Sequence, residues 1–173
     1  FINKLDGECG KFISRFDESQ LCRRGIQELN WILRYPWILS AANQDFDSQR
    51  YYFSSIDQSF DFYCLKLFSN SDELIALLIF TKRNRILKLP YCFMENSALP
   101  EVVKIIEFYI LQWKINSFTT FHPDIVAYFT RHKTISIYKK QIERSYMISK
   151  TIGNILKETK FNIQDGDGDV VFT

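Results

Sequence analysis

The sequence predicts a mixed α/β (α+β) domain, a mostly antiparallel central sheet flanked by helices, and three observations carry that expectation. Residues 73–81 hold an almost unbroken apolar run: Leu74, Ile75, Ala76, Leu77, Leu78, Ile79 and Phe80. The run is too short to span a membrane and reads as a central strand buried on both faces. After the polar tetrapeptide Lys82-Arg83-Asn84-Arg85, which suits a tight turn, residues 86–94 alternate loosely as a second strand. From Val102 the apolar residues Val102, Ile105, Ile106, Tyr109, Ile110 and Trp113 recur at three and four, one broad face of a helix. Pro100 and Glu101 just before them are residue types that open helices. A buried strand delivering the chain to a helix N-terminus is a common place to hold a phosphorylated cofactor, because free N–H groups and the helix dipole point there.

Taken in order, residues 1–22 mix Gly7, Gly10, acids and phenylalanines without a sustained period. They read as a lead-in segment or the remnant of a preceding domain, able to contribute a strand. The main domain is expected over residues 23–173. Ile26, Leu29, Ile32 and Leu33 share a helical face, and Pro36 ends that helix near Arg34 because the residue before proline avoids the α region. Residues 41–47 are polar and loop-like. Tyr51, Tyr52 and Phe53 make a strand of residues 50–54, with residues 60–68 as its hairpin partner across 54–59. Residues 69–72 turn the chain into the apolar strand. Beyond the long helix, residues 117–121 are a short strand, and Pro123-Asp124 opens a helix over 124–131 with Ile125, Val126, Tyr128 and Phe129 turned inward. Residues 134–141 and 143–149 read as strands and 150–160 as a helix. Residues 161–164 and 170–173 flank Asp165-Gly166-Asp167-Gly168-Asp169 as a hairpin.

At 173 residues the chain can bury one good core. A hydrophobic content of 46% with 16 Phe and 9 Tyr excludes general disorder. The net charge of +2, from 22 basic and 20 acidic residues, offers no field for a polyanion, so no nucleic-acid role is expected. Cys9, Cys22, Cys64 and Cys92 are scattered, with no CxxC pair and no neighbouring His, so no metal site is expected and the thiols read as reduced. No signal peptide or run of eighteen apolar residues is present, which predicts a soluble, cytoplasmic protein without a membrane role. The chain starts at Phe1, without Met and in mid-pattern, as a C-terminal domain of a longer protein would.

The order helix, antiparallel meander, central strand, long helix, strand, helix, strand pair is similar to that of the GCN5-related N-acetyltransferases (GNAT). Two segments sharpen the resemblance: the block from Arg24-Gly25 to Trp37, with Glu28-Leu29-Asn30-Trp31-Ile32 and Tyr35-Pro36-Trp37, and the terminal Asp165-Gly166-Asp167-Gly168-Asp169-Val170-Val171-Phe172-Thr173. Both look like the C-terminal half of bacterial acetyltransferase-like proteins with two such domains in tandem. The resemblance implies acetyl-CoA as co-substrate, lying where two central strands splay apart. The strand backbone of Tyr91, Cys92, Phe93 and Met94 would hold its pantetheine arm, and the turn at Asn96, Ser97 and Ala98 its pyrophosphate. The family's pyrophosphate loop has the form Arg/Gln-x-x-Gly-x-Gly/Ala, whereas residues 94–101 read Met-Glu-Asn-Ser-Ala-Leu-Pro-Glu, with no glycine. Tyr128 matches the family's proton donor to the departing thiolate, though without the Gly-Phe that follows it there, and a phenol suits that task. Glu28 lies on the helix that lines the acceptor side, where it would take the amine proton.

Each candidate also has a plainer reading. Tyr128 at helical spacing fits a core, Glu28 an exposed acid paired with Arg24, and His122 and His132 a helix start and a surface residue. The Asp165–Asp169 run fails the calcium-loop pattern, because Val170 stands where a glycine is needed, and reads as a hairpin turn first and as a polar contribution to an acceptor pocket second. Trp31, Trp37 and Trp113 read as core anchors, Arg23-Arg24 and Lys139-Lys140 as solvated charges. Two functions follow: an acyl-CoA-dependent N-acyltransferase acting on an amine-bearing small molecule or peptide, or a catalytically inactive domain of the same fold serving binding or the support of an upstream domain. Aminoacyl-tRNA-dependent ligases of cell-wall peptides share the fold, but the chain lacks their basic face.

Overall fold

The computed structural model describes residues 1–41, 54–143, 149–156 and 162–167. It is an α+β molecule built on a four-stranded sheet of order β3-β4-β5-β6, where β3 is Phe60–Phe68, β4 Leu74–Arg83, β5 Ile86–Met94 and β6 Ser117–Thr119. β3, β4 and β5 run antiparallel to their neighbours, and β6 lies parallel to β5. Two short strands, β1 (Ile38–Ser40) and β2 (Ser55–Asp57), pair in parallel as a separate sheet. Helices α1 (Gly7–Ser14) and α2 (Ile26–Arg34) precede the sheet, α3 (Leu99–Gln112) links β5 to β6, and α4 (Pro123–Arg131) and α5 (Lys150–Leu156) follow.

The sheet separates two cores. On one face Leu77, Ile79, Tyr91 and Phe93 pack with Cys9, Phe12 and Ile13 of α1 and Leu29 and Ile32 of α2. On the other, Ala76, Leu78 and Phe80 pack with Val102 and Ile106 of α3 and Ile125 of α4. β4 is therefore apolar at every position from Leu74 to Phe80 because both its faces are covered. The first residues belong to this core: Leu5, Cys9, Phe12 and Ile13 are at most 2% exposed. Asp6 caps α1 by accepting from the Cys9 N–H (3.0 Å), and Lys66 on β3 bonds both Asp6 and Glu8 at 2.6 Å, which holds the Asp6 carboxyl well below its usual range. The strand expected of this segment amounts to one bridge, Ile2 to Cys64.

β5 carries the feature that shapes the site. Its register with β4 pairs Thr81 with Lys88 but Ile79 with Tyr91, so β5 spends one extra residue at Leu89-Pro90. A bulge is where a strand tolerates proline, which has no N–H for the ladder. The extra residue switches the alternation: Leu87 and Leu89 face the α3 side, and so do Cys92 and Met94, leaving Tyr91 and Phe93 on the α1–α2 side.

Several expectations are corrected. The strand of residues 50–54 lies, apart from Ser54, outside the described residues, and the loop expected at 54–59 contains β2. β3 pairs with β4, the partner that covers its whole length. Residues 134–141 form no strand: Ile137 and Tyr138 are fully or largely exposed, and Lys139 Nζ instead donates to the carbonyls of Phe129 and His132 at the end of α4. Val126 is 40% exposed, since a helix resting on one sheet face buries only one stripe, here centred on Ile125. Trp31 is 52% exposed on the outer side of α2, whereas Trp113 is half-buried and stacks on Tyr109. Residues 144–148, 157–161 and 168–173 lie outside the described residues, and with them most of the 143–149 strand, the end of the 150–160 helix and the second arm of the terminal hairpin. Asp165–Asp167 is a 3-10 turn with Asp165 and Gly166 buried.

Candidate functional site

The site is the free edge of β5. Glu95 donates its N–H to the Ile75 carbonyl (3.0 Å), and the two-residue alternation of an antiparallel ladder then aims the main-chain groups of Phe93 and Tyr91 at β4 and those of Cys92 and Met94 the other way. On that other side β6 pairs only with Ile86, Leu87 and Lys88. Past the Pro90 bulge no described strand pairs with that edge.

The chain fills that opening with its own residues. The Cys92 N–H donates to Gln164 Oε1 (3.1 Å), and Gln164 Nε2 donates to the Cys92 carbonyl (3.0 Å). One side-chain amide thus does what an adjacent strand would do. The Tyr91 hydroxyl donates to the Gly166 carbonyl (2.7 Å) across the bulge, and burial pushes its pKa up, so it stays a donor. Gly166 lies so close to Tyr91 that a Cβ there would run into the phenol ring. Asp167 accepts from the Gln164 N–H (3.1 Å) and from Arg24 Nε (2.9 Å), its side chain 1% exposed. Burial raises the Asp167 pKa even though Arg24 pulls it down. Asn162 bridges to Gln20, and its carbonyl accepts from the Leu21 N–H (3.0 Å). Residues 162–167, the strap, are therefore tied to β5, to the start of α2 and to the segment between α1 and α2. Arg24, expected to be solvated or paired with Glu28, is one of its anchors.

Beside the strap lies a hollow of about 20 Å³, lined by Gln20, Leu89, His122, Pro123, Gln164 and Asp165 among others. Among the described residues, two fully covered side-chain atoms, Gln20 Oε1 and His122 Nδ1, have no hydrogen-bond partner. His122 precedes α4, and burial holds its pKa down although Asp124 works the other way.

The residues expected to act together are dispersed. Tyr128 is half-buried on α4, its ring stacked on His132 at 4.1 Å between centroids. Glu28 is exposed on α2, which packs on the opposite face of the sheet from α4, so the two do not share a site. Tyr91, Cys92, Phe93 and Met94 are buried within β5, and burial drives the Cys92 thiol pKa up, away from nucleophilic use. Asn96 and Ser97 are exposed in a 3-10 turn ahead of α3, with Ala98 buried behind them and Glu95 paired to Arg15 (3.2 Å). An acyl-CoA does not fit these residues as they stand. Cys92's main-chain groups are taken, and carboxylates of Glu95 and Glu101 flank the turn a pyrophosphate would approach.

Gln20, Gln164, Gly166 and His122 are the residues that sequence reasoning passed over as a site. The one local signal was glycine between two aspartates, which marks close backbone approach as readily as a turn. Among the described residues no helix is long and apolar enough to cross a membrane, and no group of three or more His, Cys, Asp or Glu could hold a metal ion. No protein-family model, curated protein or solved structure matches the chain.

Proposed function

We propose that the chain is a domain of GNAT-like architecture that works by binding rather than by acyl-CoA-dependent catalysis. One observation carries the reading: the carboxamide of Gln164 holds both the N–H and the C=O of Cys92, the main-chain groups an acyl donor would need. A ligand would have to break two buried hydrogen bonds and lift a strap anchored by Tyr91 and Arg24 before it met the strand edge. The dispersal of Tyr128 and Glu28 supports the same reading. The test is a thermal-shift titration with acetyl-CoA. A ligand at 100 times its Kd stabilises the fold by about 2.7 kcal/mol, and the expected result is no shift at millimolar acetyl-CoA. A saturable shift would overturn the reading.

The second reading, an acyl-CoA-dependent N-acyltransferase with an amine-bearing small molecule or peptide as acceptor, is favoured by the parting of β5 and β6 after three paired residues. It requires the strap to leave. In that case Gln164→Ala binds acetyl-CoA more tightly than the unaltered chain, and Tyr128→Phe slows turnover without changing the thermal shift.

A further inference from the structure

We infer that the loop following α4 docks the protein on an anionic lipid surface. The inference goes beyond the binding role proposed above: it concerns other residues and names a partner for them. Residues 132–143 form neither helix nor strand, and residues 135–143 are all exposed. Ile137 is fully exposed, Tyr138 80% and Ile142 53%. Large apolar side chains grouped in this way mark a surface that meets something less polar than water. The loop is fastened on both sides of its tip. The Ile135 N–H donates to Glu107 Oε1 on α3 (3.2 Å), and Lys139 Nζ donates to the carbonyls of Phe129 and His132 at the end of α4. Ile137 and Tyr138 are thereby held out between two tethers, so little chain entropy is lost when they are buried.

Charge selects the partner. Residues 131–143 contain four basic residues and one acidic, a net +3, while the whole chain carries +2, so the remainder amounts to −1. Setting aside Lys139, which serves the helix end, Arg131, Lys133 and Lys140 are all exposed. Chain connectivity keeps the Cα of Lys140 within about 8 Å of that of Tyr138, roughly a Debye length at physiological salt. The cations are therefore close enough to the tip to feel the surface that it enters. Side chains projecting from a loop suit a fluid interface, which moulds itself around them, whereas a protein partner would need a matching pocket; tyrosine in particular suits the headgroup level. Docking of this kind needs no membrane-spanning segment, whose absence was the ground for expecting no membrane role.

The test floats the full chain with vesicles of equal parts phosphatidylcholine and phosphatidylglycerol, and with vesicles of phosphatidylcholine alone as the uncharged control. Binding to the mixed vesicles is expected, weakening as salt is added. Combining Ile137→Ser with Tyr138→Ser should weaken it about tenfold or more, and combining Lys133→Gln with Lys140→Gln should do the same through charge. Both variants should melt with the unaltered chain, because the side chains they change are exposed. No binding to the mixed vesicles, equal binding to phosphatidylcholine alone, or undiminished binding by the serine variant would overturn the inference. So would self-association without vesicles that the serine variant abolishes, which would make a second copy the partner. The acetyl-CoA titration reads the Cys92 edge, so either result can fail without the other.

Discussion

The two edges of β5 meet the same requirement by different means. Toward β4 the strand is satisfied by a main-chain ladder running from Ile86 to Met94 and interrupted only at the Pro90 bulge. Toward β6 the ladder stops at Lys88, and beyond it a single glutamine side chain serves the main chain of Cys92. A ladder is cooperative and indifferent to side-chain identity. An amide serving in its place depends on one residue and on whatever holds that residue there. The comparison teaches that the free edge is the part of this fold a single substitution can open.

The largest effect is expected from Gln164→Leu, which leaves the buried Cys92 N–H and C=O without partners and costs about 2–4 kcal/mol. Urea unfolding measures the loss. Hydrogen exchange should show the Cys92 amide deprotected while the Phe93 amide, aimed at β4, keeps its protection; equal loss at both would mean the two edges form one unit. Gly166→Ala comes next, at about 1–3 kcal/mol, because the new methyl group must displace either the strap or the Tyr91 ring. Wild-type stability in this variant would show that the strap does not lie against Tyr91.

The smallest effect is a pH dependence. His122 has its pKa lowered in the fold from an ordinary 6.5, by burial, with Asp124 opposing and Asp165 lining the same hollow. Below 6.5 the unfolded chain binds a proton that the folded chain does not, so folding stability falls as pH drops through that value toward the folded pKa, and is fully present above it. His122→Asn should flatten this part of the stability profile; an unchanged slope would remove His122 as its source.

Much of the scaffold was readable locally. The bounds of β5 and the apolar body of β4 follow from runs of residues whose neighbours along the chain decide their burial, and α3 follows from its spacing of three and four. Asn84, placed in the turn between them, adopts φ 53°, a conformation asparagine tolerates better than most residues. The errors arose where a local pattern had no tertiary face to serve. Ile135 and Ile137 alternate like a strand, yet among the described residues no sheet edge receives them, and Lys139 fastens the segment to α4 instead. The strap was read as a turn because its aspartates and glycines are turn residues; nothing within it says that Asp167 meets Arg24 or that Gly166 meets Tyr91.

For β4, β5 and α3 the sequence by itself determined the type of element and its apolar faces, because periodicity is a property of neighbouring residues and the hydrophobic effect acts on it directly. Only the tertiary structure decided how the open edge of β5 is satisfied. The residues involved are 72 positions apart for Gln164 and Cys92 and 143 apart for Arg24 and Asp167, and their pairing depends on the path of the whole chain between them. The same holds for the hollow beside Gln20 and His122: it forms where separate segments meet, so it belongs to the packing and to no single segment.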